Sequence, residues 1–217
     1  MKVSDSPSVI ARRIVAGGID SLRQRLIADA PDLPLAPLRS DYDLNPDLKP
    51  MQSRVLAPAA VLVPIVDKEE PAVLFTRRTE HLSRHAGQVS FPGGRVHGGD
   101  RSLVDTALRE THEEIGLAAD FVSIAGFLDP YETGTGYAIL PVVGLLRTGF
   151  TLVPEVAEVA EIFEVPLGFL LDPGNRLRQS TEWQGRKRDF YAFQYKDHYI
   201  WGATAAILVN FGDRFAP

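Results

Sequence analysis

The chain has 217 residues, of which 45% are hydrophobic and 24% charged, the ordinary balance of a globular protein. It contains no cysteine, which excludes a disulfide framework, a thiolate metal site and a cysteine nucleophile. A net charge of -5 argues against electrostatic binding to bulk nucleic acid or to an anionic membrane, both of which call for a basic surface.

Met1 to Pro7 lacks the apolar core of a signal peptide, and no stretch approaches the roughly 18 apolar residues of a membrane span. A soluble, cytoplasmic protein is expected. Val9, Ile10, Ile14, Ile19, Leu22, Leu26 and Ile27 recur at helical spacing and predict a helix over 8–29, weakened at Gly17-Gly18. Five prolines between 31 and 50 predict an extended connector. Residues 1–53 thus read as an N-terminal arm before a domain at 54–217. Its apolar stripe could cover the core or form a homodimer interface.

Strands are expected at 55–66 and 72–76 around a turn at 67–71, then a long loop over 77–101. A helix follows at 102–115, with strands at 121–128 and 138–147. Residues 158–165 read as a strand or a short helix leading into one. A strand at 190–195, opened by a turn near Gln184-Gly185, and a closing helix at 203–211 complete the chain. Mixed strands with helices between them predict a layered α/β or α+β fold.

The helix at 102–115 concentrates the chemistry. Ser102 with Asp105 three residues later has the form of a capping box, and Gly116 is a natural C-terminal stop. Val104, Ala107, Leu108, Thr111 and Ile115 form its apolar stripe. Off that stripe lie Glu110, Glu113 and Glu114, three carboxylates within about one turn. Such a cluster repels itself unless a hard dication joins it. Mg²⁺ and Mn²⁺ suit carboxylate oxygens. A solvated acidic face is the plain alternative.

The neighbouring residues decide between these readings. Gly94, Asp100 and the run Arg109-Glu110-Thr111-x-Glu113-Glu114-x-Gly116 resemble the Nudix box, Gx5Ex7REUxEExGU, where U is a large aliphatic residue. Two positions depart from it. The first acid is Asp100 with one extra residue before Arg109, and Thr111 stands where an aliphatic residue is usual. The resemblance implies a Nudix α/β/α sandwich with a mixed sheet and a metal-dependent pyrophosphohydrolase acting on a small nucleotide substrate. It implies Glu110, Glu113 and Glu114 as metal ligands, with one of them able to act as base, and Arg109 as the residue that orients them.

The segment from Leu74 to Gly94 resembles the added signature of the coenzyme A branch of the same family, roughly LLTxR(S/A)x3Rx3GxxxFPGG. Arg78, Gly87 and Phe91-Pro92-Gly93-Gly94 match. Thr79 replaces the small residue, and the second arginine falls one place late, at Arg84. By this resemblance Arg78 and Arg84 hold substrate phosphates, and the Gly93-Gly94 backbone approaches the ligand closely. The plain alternative for the arginines is loop surface charge. His81, His85 and His97 form no recognisable metal pattern.

Further along, Asp129 to Tyr137 resembles a loop near the substrate in the same branch. Tyr137 could stack a base or simply pack. Nudix enzymes commonly take one more acid from outside the box, and Glu158 is the first candidate for that base or ligand, Glu161 the second. Tyr199 to Ala205 also resembles this branch, with a structural role.

The expected reaction is cleavage of coenzyme A or an acyl derivative to adenosine 3′,5′-bisphosphate and a 4′-phosphopantetheine. The alternatives are another nucleoside diphosphate derivative (ADP-ribose, a dinucleoside polyphosphate or NADH) or a non-catalytic nucleotide sensor, which has less need of three adjacent acids. The net charge conceals local contrast. Residues 76–101 carry five arginines against Glu80 and Asp100, a net +3, directly before the acidic helix.

Overall fold

A computed structural model describes residues 16–52, 54–81, 85–183 and 185–215. Its centre is a mixed nine-stranded sheet. Strands β2 (Ala57–Asp67) and β8 (Tyr137–Arg147) run parallel over eleven residue pairs at its middle. Both read as nearly continuous apolar runs because the sheet is covered on both faces.

Strand β3 (Ala72–Arg78) pairs antiparallel with β2 only at Ile65–Val73 and Val66–Ala72. Beyond that the two strands diverge. Short strand β4 (Val89–Ser90) takes the free edge of β3, and β5 (Gly93–Arg95) takes that of β2. Strand β9 (Val159–Pro166) lies on the other side of β3. Strands β6 (Val122–Phe127) and β7 (Tyr131–Glu132) pair with β8, and β1 (Arg39–Ser40) adds to β7 in parallel.

Helix α2 (Leu103–Ile115) covers one face, where Leu103, Ala107 and Ile115 join Leu62, Leu74, Leu140 and Val142. The opposite face, with Val63, Ile65, Val73, Phe75 and Val143, is covered by three helices: α1 (Gly18–Arg23), α3 (Leu167–Leu171) and α4 (Gly202–Phe215). A small antiparallel sheet of β10 (Leu177–Trp183), β11 (Arg186–Tyr195) and β12 (His198–Trp201) supports α4. The expected α/β/α layering with a mixed sheet is what the chain forms. No helix among the described residues is long and apolar enough to cross a membrane.

Several elements differ from expectation. Of the helix expected over 8–29, residues 8–15 lie outside the described residues. The described helix ends at Arg23, and Ile27 instead exchanges two backbone hydrogen bonds with Phe127, both 2.9 Å. Leu22 and Leu26 still reach the core. The connector is ordered by pairing of β1 and by Asn45, whose side chain donates to Asp189 O at 2.8 Å and accepts from Asp189 N at 2.7 Å. Strand β10 has no counterpart in the sequence reading, and β4 and β5 fall in the expected loop. The acidic segment after residue 158 is a strand.

Candidate active site

Helix α2 starts and stops as its sequence dictates. Ser102 accepts from Asp105 N at 3.1 Å, and Gly116 closes the helix at φ +69° with its N–H on His112 O. The buried face is rotated from the expected stripe. It comprises Leu103, Thr106, Ala107, Thr111, Glu114 and Ile115, while Val104 and Leu108 are half-buried. Glu114 therefore lies on the packed face instead of beside it, because the helix lies over β2 and β5 and aims this carboxylate at the backbone of Gly93. Thr111 is accommodated in an apolar setting by donating its hydroxyl to Ala107 O at 2.6 Å.

The glycines set the approach of helix to strand. A Cβ on Gly93, at φ +148°, would lie 2.4 Å from Ala60 O and 2.5 Å from Val61 Cα. A Cβ on Gly94 would lie 2.4–2.7 Å from the Glu110 carboxylate. Only glycine lets β5 join β2 while Glu110 rests on it.

Arg109 organises the acids. It donates from Nε to Asp100 at 2.8 Å and from Nη2 to the same carboxylate at 3.0 Å. Its Nη1 reaches Glu110 at 2.9 Å and Glu113 at 3.0 Å, and Nη2 also reaches Arg95 O at 3.2 Å. Asp100 further accepts from His97 N and Thr106 Oγ1. These bonds, those from Arg109 foremost, hold its carboxyl well below the usual carboxylate range. Asp100 completes the orienting shell; its matched place in the box was the signal for it.

Glu114 is nearly buried and accepts from Gly93 N at 3.2 Å, with Arg78 Nη1 at 3.9 Å. Burial pushes its carboxyl up to about 7, against the pull of Gly93 N–H and Arg78, and with a further push from Glu110 and Glu158. Glu158 is exposed and is brought near by the segment from Val153 to Glu158. Val153 N and Glu155 N cap the Ile115 and Glu114 carbonyls, and Thr79 N binds Glu158 O. Glu161 instead pairs with Arg77 at 3.1 Å and with His198. Tyr137 begins β8, with its hydroxyl and ring occupied by Arg95. Arg84 lies outside the described residues.

Among the described residues, no three acidic or histidine side chains converge as a preformed cation cage. The donor set nevertheless fits a hard dication. Glu110, Glu113 and Glu114 offer carboxylate oxygens from one stretch of helix, and Glu114 feels the charge of Glu110. Clustered carboxylates beside a glycine-rich strand, with arginines nearby, bring together donors for a dication and cations for an anionic phosphate.

The family comparison agrees with that chemistry. A model of the NUDIX domain matches residues 56–173. The chain belongs to the Nudix hydrolase family, whose reaction is cleavage of a diphosphate bond. It is 43% identical over 150 residues to an uncharacterized Nudix hydrolase, NudL, of Photorhabdus laumondii subsp. laumondii, covering 69% of this chain and 80% of that one. NudL of Yersinia pestis is 41% identical over 150 residues, covering 69% and 75%. Among solved structures, a Nudix hydrolase from M. smegmatis, RenU, is 22% identical with a TM-score of 0.44, covering 51% of this chain and 70% of that one.

Proposed function

We propose that the chain cleaves the diphosphate of coenzyme A or acyl-coenzyme A with Mg²⁺ or Mn²⁺, giving adenosine 3′,5′-bisphosphate and a 4′-phosphopantetheine. One observation carries the reading. Arg78, the arginine of the segment that resembles the coenzyme A signature, lies 3.9 Å from Glu114 of the Nudix helix, a proximity that supports one site for the two motifs.

Glu110, Glu113 and Glu114 would hold the cation, which when bound neutralises phosphoryl charge and acidifies water. Arg109, fixed by Asp100, positions Glu110 and Glu113. Glu158, exposed at the rim, takes the proton of the attacking water as its oxygen bonds to phosphorus and the anhydride P–O bond breaks. Arg78 and Arg84 bind phosphate, Gly93 and Gly94 let the substrate approach the backbone, and Tyr137 belongs to the substrate-binding set. The division proposed is an N-terminal segment, 1–53, before the hydrolase domain at 54–217, and the exposed Leu33, Leu38 and Met51 of its described part support a homodimer. Light scattering tests that assembly, and a monomeric mass rejects it.

The test of function is incubation with coenzyme A and Mg²⁺ or Mn²⁺, with products identified by mass, for the natural chain and Glu114→Gln. Turnover lost in Glu114→Gln is expected. Turnover of ADP-ribose, NADH or a dinucleoside polyphosphate but not coenzyme A would reject the substrate and keep the chemistry. Full activity of Glu114→Gln would reject the site.

A further inference from the structure

We propose that Arg95 is a substrate-binding residue that receives a phosphoryl oxygen of the diphosphate, and that Tyr137 is the residue that positions it. The inference rests on the diphosphate-cleaving reading of the site, but not on coenzyme A as the substrate.

The arginines around the acidic helix are not equivalent. Arg77 is paired with Glu161, Arg78 faces Glu114, Arg101 pairs with Asp105, and Arg109 is spent on Asp100, Glu110 and Glu113. Arg95 has no carboxylate partner among the described residues. Its exposed guanidinium donates to the Tyr137 hydroxyl and lies 4.9 Å from the centre of that ring. A guanidinium stacked on an aromatic ring is held in place while keeping its charge and most of its donors for an anion.

Its position suits the reaction. Along β5 successive side-chain positions alternate between faces. Gly94 faces Glu110, so Arg95 projects from the other face of the same strand. Among the described residues β5 pairs with no second strand, and its outer edge is met by side chains of α2, Glu114 at Gly93 N and Arg109 at Arg95 O. A diphosphate bound beside β5 meets the carboxylates on one side of the strand and the Arg95 guanidinium on the other. The carbonyl of Arg95 is in turn gripped by Arg109 at 3.2 Å, so the strand carrying the cation is fixed to the helix carrying the acids.

Tyr137 is itself held. Its N–H donates to Thr133 Oγ1 at 3.0 Å, and its carbonyl accepts from Thr133 N at 2.9 Å. The preceding turn is anchored by Gly134 N on Asp41 at 2.7 Å and by Arg54 on the Gly134 carbonyl at 3.0 Å. The guanidinium is thus preorganised through Asp41 of the connector and through Arg54, both far away in sequence. Preorganised charge contributes to binding without an ordering cost at the moment of contact.

The experiment compares Arg95→Gln, Arg95→Lys and Tyr137→Phe with the natural chain on whichever diphosphate substrate that chain cleaves. ADP with Mg²⁺ serves as a binding probe by calorimetry. Arg95→Gln is expected to raise KM and the ADP Kd about ten-fold or more while kcat stays within roughly three-fold. Arg95→Lys should recover part of the loss, and Tyr137→Phe should fall between. Arg95→Gln with natural KM and ADP affinity overturns the proposal alone. So does a parallel fall of kcat and Tm in both Arg95 variants with KM unchanged, which marks a structural role. A natural chain that cleaves no diphosphate and binds no ADP overturns the site reading and this inference together.

Discussion

The guanidinium of Arg109 holds the carboxylate of Asp100 through two bonds of 2.8 and 3.0 Å, across a stretch of chain one residue longer than the family pattern. A shorter acid on a longer loop reaches the same arginine. With Asp100 fixed, Arg109 has its Nη1 left for Glu110 and Glu113. This geometry explains how the departure at this position is absorbed.

Asp100→Ala should therefore cost both stability and activity. The Asp100 side chain is 5% exposed and Arg109 is 25% exposed, so removing the acid leaves a mostly buried cation without its main partner. The expected loss is about 2 kcal/mol by urea denaturation, below the roughly 3–5 kcal/mol of a broken buried pair because Arg109 keeps Glu110 and Glu113. Asp100 is held below its ordinary range in the folded chain. Its contribution is present above the unfolded value near 3.8 and fades as the solution is acidified below it. Asp100→Asn should lose stability less steeply between pH 4 and pH 2 (approximate bounds set by that value). An equal acid slope in both proteins counts against the assignment.

Glu114 gives the opposite slope. Its carboxyl is pushed up to about 7 from 4.5 by burial, so the folded chain keeps a proton that the unfolded chain releases. The folded state then binds more protons, and stability falls as pH rises through that window. Thermal melts in the presence of a chelator, from about pH 4.5 to 7, should show Tm declining for the natural chain and declining less for Glu114→Gln. Parallel curves would reject the shift.

The two glycines of the Phe91–Gly94 run should separate fold from function. Alanine at Gly93 meets the β2 backbone at 2.4 and 2.5 Å and adopts an unfavourable φ, so neither party can yield cheaply. A loss of about 3 kcal/mol or more, or failure to fold, is expected. Alanine at Gly94 meets the end of the Glu110 side chain, which can move. That variant should keep its melting temperature within a few degrees and lose about ten-fold or more in kcat. Equal destabilisation by both changes would contradict this division.

How far the sequence carried these conclusions depends on the range of the interactions. Helix α2 was legible because its cap, its stop at Gly116 and its periodicity are local. The burial of Glu114 was not, since a helical wheel counts apolar residues and the Gly93 N–H that receives this acid comes from a strand. Strand β10 was hidden by its composition. Leu177–Trp183 carries Arg178, Gln179, Ser180, Thr181 and Glu182, and is a strand because β11 pairs with it. The splay of β2 from β3, which makes room for β4 and β5, is a property of pairing that no single segment encodes.

The connector shows the same limit and yields the last prediction. Five prolines mark it as extended but say nothing of Asp41. That residue accepts from the Tyr131 hydroxyl at 2.8 Å, from Gly134 N at 2.7 Å and from Arg188 at 2.8 Å. It joins β7, the turn before Tyr137 and β11. Truncation removes the acceptor of the Tyr131 hydroxyl and of Gly134 N–H and one ion-pair partner of Arg188. Asp41→Ala should lower stability by about 2–4 kcal/mol, and Asp41→Asn by less, because an amide oxygen still accepts. The turn bearing Tyr137 loosens in both, so KM should rise more than kcat falls. At a temperature where Asp41→Asn is fully folded, an unchanged KM would show that Asp41 supports the fold without reaching the substrate site.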